Sequence, residues 1–136
     1  MKATKELEQQ IVRSTEPELL AGEDFSLPEL ADYLGELLRR RGVPVRDIIR
    51  RCNLERSYGY QLFNGTRRPT RDILMVLSLE LGLSGEETRR LFELAGRAPL
   101  YARRRRDAAV LYGLSHRLSP ADVHELLLEL GEEGLL

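Results

Sequence analysis

The sequence predicts an all-α fold, and three observations predict it. The 136-residue chain is rich in Leu, poor in Val and free of Trp, a composition that favours helix over sheet. Helix start and stop signals recur along it, and between them apolar residues fall at helical spacing. The length suits one ordinary core. A single cysteine, Cys52, excludes an intramolecular disulfide and a cysteine-cluster zinc site. The N-terminus lacks the basic-then-apolar order of a secretion signal, so a cytoplasmic protein is expected. The most apolar run, 73–83, is interrupted by Glu80 and is shorter than the roughly 20 residues that span a bilayer, so no membrane partner is expected.

Residues 1–25 divide into a short helix from Lys5 to Val12 and an acidic linker. Ser26-Leu27-Pro28-Glu29 reads as a capping box with proline in the first turn, and Leu30, Leu34, Leu37 and Leu38 then line one face as far as Gly42. A second helix from Val45 carries Ile48, Ile49 and Cys52 on one side, until Asn53 interrupts it. A third runs from about Arg56 to Phe63 and stops at Asn64-Gly65. Thr70 caps a fourth ending at Gly82, and Ser84 with Glu87 makes a capping box for a fifth ending at Gly96. These five helices make up a domain over 26–97.

The remaining segment, 98–136, predicts a helical hairpin that repeats the one before it. RDILMVLSLELGLSGEETRRLFELAG from Arg71 aligns without a gap on RDAAVLYGLSHRLSPADVHELLLELG from Arg106, an offset of 35. Both begin Arg-Asp, and both carry Leu-x-x-x-Leu-Ser (Leu79, Leu83, Ser84; Leu114, Leu118, Ser119). An acid follows three residues after the Ser, with a central Leu91 or Leu126 and a terminal Gly. Shared caps on amphipathic helices could mimic a repeat, but the equal turn length and the leading Arg-Asp favour two hairpins of one design, stacked side by side.

Charge is concentrated. Between Glu36 and Arg71, ten arginines face three acids (Glu36, Asp47, Glu55), a net +7, so the rest of the chain carries −8 within a total of −1. A polyanion is the natural partner of such a segment.

The order Gly42-Val43, Asn53-Leu54, Leu62, Asn64-Gly65, Thr66-Arg67-Arg68-Pro69-Thr70 and Leu81-Gly82-Leu83 resembles the helix-turn-helix domain of the lambda-repressor and Cro class of regulators, often called XRE-type, over residues 27–95. The resemblance implies five helices that present the third to double-stranded DNA. Arg56, Ser57, Tyr60 and Gln61 would then reach base edges in the major groove, while Arg46, Arg67, Arg68 and Thr70 would hold phosphates and fix register. A solvated basic face is the plainer reading of these arginines. The chain departs from the pattern at Asn53, where glycine is usual, though Asn tolerates a left-handed backbone. Ile49 and Gly59 stand where Ala and Ile or Val are common, which implies a volume-conserving swap across the contact of the second and third helices. Val45 replaces a frequent phosphate-contacting Gln.

Tyr58, four residues from both Leu54 and Leu62, has the spacing of a buried stripe rather than of a DNA contact, while Tyr60 is expected to be exposed. Cys52 reads as a small core residue. The run Arg103-Arg104-Arg105-Arg106 precedes a helix, where the macrodipole disfavours cations. The acidic linker or Glu125, Glu129, Glu132 and Glu133 would compensate more economically than DNA. Ser115 and His116 should not converge, His116 and His124 lack partners for a metal site, and no spacing suggests catalysis or a cofactor. A homodimer is expected through Val110, Leu111, Leu114, Val123, Leu126, Leu127 and Leu130, since such regulators bind paired half-sites. The alternative to a DNA-binding regulator is a helical adaptor that keeps the fold but binds protein.

Overall fold

The computed structural model describes residues 4–13 and 27–136, and these hold eight helices and no strand. They are α1 (Thr4–Arg13), α2 (Pro28–Arg41), α3 (Val45–Arg51), α4 (Arg56–Phe63), α5 (Arg71–Leu81), α6 (Gly85–Leu94), α7 (Arg105–Ser115) and α8 (Pro120–Glu129). The acidic linker and Ser26 lie outside the described residues. Helix α1 buries none of its side chains.

The expected punctuation is present with one correction. Helix α2 starts at Pro28 with Leu27 as its N-cap, and no side chain caps it. A tertiary contact supports that end instead: the Leu27 N–H donates to the Gly65 carbonyl at 2.7 Å. Gly65 has φ +82°, and a Cβ there would lie 2.5 Å from the Leu27 carbonyl oxygen, so the turn after α4 admits only glycine. Gly42 ends α2 in the left-handed conformation, Thr70 caps α5 through the Ile73 N–H, and Ser84 and Glu87 form a reciprocal capping box. Burial follows the predicted faces, with Leu30, Leu34, Leu37, Ile48, Leu62, Leu74, Leu91 and Phe92 fully enclosed. Burying each such side chain is worth roughly 1.5–3 kcal/mol. Helices α2 and α6 are fastened by Arg41, whose Nε donates to the Leu81 carbonyl at 2.6 Å and whose Nη2 meets Glu87 at 2.8 Å. That hydrogen bond outweighs burial and pulls the Glu87 carboxyl down to about 2.

The repeat is visible as geometry. Arg71 Nε donates to the Ala98 carbonyl and its Nη2 to that of Pro99; Arg106 does the same to Glu133 and Gly134, each acceptor again displaced by 35 residues. The two guanidinium forks cross over: Arg71 grips Asp107 at 3.0–3.1 Å and Arg106 grips Asp72 at 2.6–3.1 Å. Ser119 and Asp122 repeat the capping box of Ser84 and Glu87. Near the other ends of α5 and α7, the Cβ position of Gly113 lies 3.1 Å from Leu79 Cδ2, so these helices run parallel, side by side. Reciprocal contacts between parallel helices imply an approximate two-fold axis along them. The hairpins are therefore not translated copies in a stack, which would leave one of the two ion pairs unmade.

This arrangement changes two expectations. Val110, Val123 and Leu127 are fully enclosed in the same core as α2 to α6, and Leu114 and Leu126 pack partly against it. Those five residues close the chain's own core, so 98–136 shares the interior of 26–97. Of the expected dimer residues, only Leu111, half-buried, and Leu130, exposed, remain at the surface without packing into that core. Among the described residues the arginine run makes no ion pair with the C-terminal carboxylates: Arg106 takes Asp72 and two backbone carbonyls, with Glu133 adding only a through-space attraction, and the acidic linker lies outside the described residues. No helix among the described residues is long and apolar enough to cross a membrane.

Candidate nucleic-acid interface

Helices α3 and α4 form a tight unit because three local features agree. Asn53 takes the left-handed conformation with φ +54°, as its side chain permits, and the Leu54 N–H closes the turn on the Ile49 carbonyl at 3.0 Å. Gly59 faces Ile49 so closely that an added Cβ would stand 2.8 Å and 2.9 Å from Ile49 Cγ1 and Cγ2. Ile49 thus fills the space that Gly59 leaves, so the two residues do meet across the contact of α3 and α4 as expected. Gly59, Leu62 and Phe63 are buried, which fixes which side of α4 turns outward.

That outward strip consists of Arg56, Ser57, Tyr60 and Gln61, at helical positions i, i+1, i+4 and i+5. Arg56 and Ser57 are exposed, Tyr60 is 40% exposed and Gln61 is half-buried. Tyr58 lies between the two environments, packed against the core on one side and covered by the Arg67 guanidinium 5.3 Å from its ring centroid. This cation–π contact aims Arg67 along the edge of α4. The following loop is held by Asn64, whose Oδ1 accepts from the Thr66 N–H at 3.0 Å and from Thr66 Oγ1 at 2.7 Å.

The candidate phosphate residues separate into two kinds. Arg46 and Arg67 are exposed, Arg46 at 3.7 Å from Asp47. Arg68, by contrast, donates through Nε to the Ala95 carbonyl at 2.8 Å and through Nη2 to that of Gly96, binding the basic loop to the end of α6. The Thr70 hydroxyl accepts from the Ile73 N–H at 3.1 Å, so its first role is to cap α5. Arg40, Arg41 and Arg71 likewise turn to Glu36, Glu87 and Asp107. Arg46 and Arg50 share Asp47 at 3.7 and 3.6 Å, so the field offered to a partner is narrower than +7 and rests on Arg39, Arg51, Arg56 and Arg67 with the excess charge of Arg46 and Arg50.

Sequence reading missed two residues here. Glu55 is the N-cap of α4: its carboxylate accepts from the Ser57 and Tyr58 N–H groups at 3.0 and 2.8 Å, and these bonds lower its pKa. It escaped notice because Glu is not among the usual N-cap residues, although its place directly after Asn53-Leu54 was a usable signal. The second is Arg97, whose Nε donates to the Pro69 carbonyl at 3.0 Å and braces the basic loop from behind.

Elsewhere, Cys52 is buried and its thiol is pushed up to about 12 by desolvation, consistent with a packing role. No group of His, Cys, Asp and Glu suited to a metal ion exists among the described residues. His124 Nδ1 instead accepts the Leu135 and Leu136 N–H groups at 3.0 and 3.1 Å. Ser115 and His116 do meet, contrary to the reading of the sequence: Oγ and Nδ1 are 2.9 Å apart. The hydroxyl donates to the Tyr112 carbonyl at 3.0 Å, and the imidazole stacks on the Tyr112 ring at 3.9 Å. Comparison with known proteins finds no matching family model, no matching curated protein and no matching solved structure.

Proposed function

We propose that this chain is a sequence-specific DNA-binding regulator with a lambda-repressor-like arrangement of α2 to α6, which sets α4 in the major groove of duplex DNA. The observation that carries the reading is the outward strip Arg56, Ser57, Tyr60 and Gln61 on a helix whose inner face is locked to α3, flanked by exposed Arg46 and Arg67. Arg56 offers a bidentate contact to guanine and Gln61 one to adenine, each worth roughly 1–3 kcal/mol of discrimination. Arg46 and Arg67 supply charge to the backbone, and Thr70 places the start of α5 beside it. One short helix reads few bases, so the binding unit is a homodimer on two half-sites. Leu130, together with Leu128 and Tyr112, supplies exposed apolar surface for that contact.

A second reading, an adaptor that binds protein, is favoured by Glu55, because a carboxylate at the leading end of α4 repels phosphate. Selection of bound duplexes from a random library, after retention on duplex at low salt, decides between them. Affinity should fall steeply with salt. Gln61→Ala should alter preference at particular bases, and Arg67→Ala should weaken all sequences alike. Failure of the folded protein to bind duplex, or binding indifferent to salt, would transfer the assignment to the adaptor.

A further inference from the structure

The two-fold relation of the hairpins extends beyond their helices. Thr66-Arg67-Arg68-Pro69-Thr70-Arg71 leads into α5, and Tyr101-Ala102-Arg103-Arg104-Arg105-Arg106 leads into α7 at the same offset of 35 residues. Since α5 and α7 run parallel with their first turns joined by the crossed ion pairs, both lead-in loops lie at one end of the molecule. They are also tied together: Arg97 holds Pro69, and Arg71 holds Ala98 and Pro99. The second loop is ordered from within, since the Tyr101 N–H donates to Asp107 Oδ2 at 2.9 Å and the Arg104 N–H to the Tyr101 carbonyl at 3.0 Å.

The two loops differ in what their arginines do. Arg68 is committed to the end of α6, but its counterpart Arg103 is exposed and makes no side-chain hydrogen bond or ion pair with the described residues. The same is true of Arg104 and Arg105. At this end of the hairpins Asp72 and Asp107 already pair with Arg106 and Arg71, although Asp107 is also attracted by Arg104. These three consecutive, exposed arginines therefore make no side-chain bond with the described residues, Arg104 alone being drawn through space to Asp107, at the start of a helix whose dipole also repels cations.

We propose that Arg103, Arg104 and Arg105 form a second phosphate-binding edge, continuous with the loop at Arg67, that takes the backbone of the same DNA duplex beyond the bases read by α4. Charge complementarity and continuity with the α4 surface commit this edge to duplex DNA. The proposal rests on the DNA-binding reading of α4 and adds to it the length of duplex engaged. Because the three residues touch no base-reading position, they contribute affinity and salt dependence but no sequence preference.

The test uses the full chain and the variant Arg103→Gln/Arg104→Gln/Arg105→Gln, with circular dichroism and urea unfolding confirming an unchanged fold. Binding is measured against salt on a selected duplex, both trimmed to the selected bases and flanked by random sequence. On the flanked duplex, the variant should lose at least about tenfold in affinity, and its log–log salt slope should fall by about 2 to 3, near 0.9 per lost phosphate contact. On the trimmed duplex the two proteins should converge, with the same bases preferred. Wild-type binding with an unchanged slope in the variant would overturn this inference alone. A folded wild type that binds no duplex would overturn the α4 reading, and this one with it. Retention on anionic vesicles or duplex RNA but not on DNA would likewise reject it.

Discussion

In the hairpin α5–α6 the start and end are braced by neighbours: α2 packs on α6, Arg68 seals the carbonyls of Ala95 and Gly96, and Ala95 is fully buried. In the hairpin α7–α8 the residues at equivalent positions are released: Arg103 is exposed and Leu130, the counterpart of Ala95, is 42% exposed. Between those edges the two hairpins use the same bonds, including the Arg clasp, the capping boxes and the left-handed ends at Gly96 and Gly131. The inner elements are kept alike because each must satisfy its counterpart across the axis. The edges differ because only one hairpin has α2, α3 and α4 beside it.

The sharpest way to break the comparison is at the clasp, whose halves match in bonding but differ in burial. Asp107 is 1% exposed, whereas the Asp72 side chain is 45% exposed. Removing one partner of a buried pair costs about 3–5 kcal/mol, and that of an exposed pair about 0–1. Asp107→Ala should fall near 3, because Arg71 keeps the carbonyls of Ala98 and Pro99. Asp72→Ala should cost under about 1 kcal/mol in urea unfolding. Burial would raise the Asp107 carboxyl, but Arg71 and the Tyr101 N–H hold it below its usual range. A depressed folded-state pKa contributes stability that is complete above the unfolded value of about 4 and lost as pH falls through the folded one. Asp107→Ala should therefore remove part of the acid sensitivity. Equal losses at both positions would show that the two halves are energetically equivalent.

A smaller effect separates the helix contacts inside each hairpin. Ser78 in α5 is buried, with its hydroxyl bonded to the Leu74 carbonyl at 2.7 Å. The equivalent residue in α7 is Gly113, where an added Cβ would collide with Val123 Cγ2 and stand 3.1 Å from Leu79 Cδ2. Gly113→Ser makes the two sequences alike at this position, yet it should destabilise by about 1–3 kcal/mol through overpacking. A neutral outcome in denaturant unfolding would mean that α7 and α8 can separate to the spacing of α5 and α6.

What the sequence showed and what it hid follow from the range of the forces involved. Caps, left-handed turns and buried faces at Gly42, Asn53, Thr70 and Ser84 are local, and they were legible residue by residue. The repeat was legible because it is an alignment of the chain with itself, and the Ile49–Gly59 contact because a large and a small residue stand at positions expected to meet. Hidden were the long-range partners. Arg68, Arg71 and Arg106 look like the other arginines until folding brings carbonyls 27 and 28 residues away within reach. The apolar excess of the last hairpin suggested a dimer face for the same reason: the sequence does not show that α5 presents a second apolar side, which Val110, Val123 and Leu127 help to close into one core. The α4 strip was named from the resemblance to a familiar pattern, whereas the Glu55 cap among its leading residues went unnoticed.

The smallest difference between the hairpins lies at the turn joining their helices, and it can be tested in both directions. Gly82 has φ +61° and open space around its Cβ position, so only backbone conformation constrains it. Its counterpart Arg117 takes the same left-handed conformation, φ +56°, with a side chain that is exposed. A non-glycine residue there costs roughly 1–2 kcal/mol, while glycine returns about 0.5–1 through the freedom it adds to the unfolded chain. The two terms nearly cancel, with a residue in favour of glycine. Arg117→Gly should stabilise the protein by less than about 1 kcal/mol, and Gly82→Arg should destabilise it by a similar amount. Opposite signs of matched size, read as shifts in urea midpoint at constant slope, would show that the turns are equivalent despite their sequences. A loss in both variants would show that the Arg117 side chain stabilises its turn in a way that its exposure conceals.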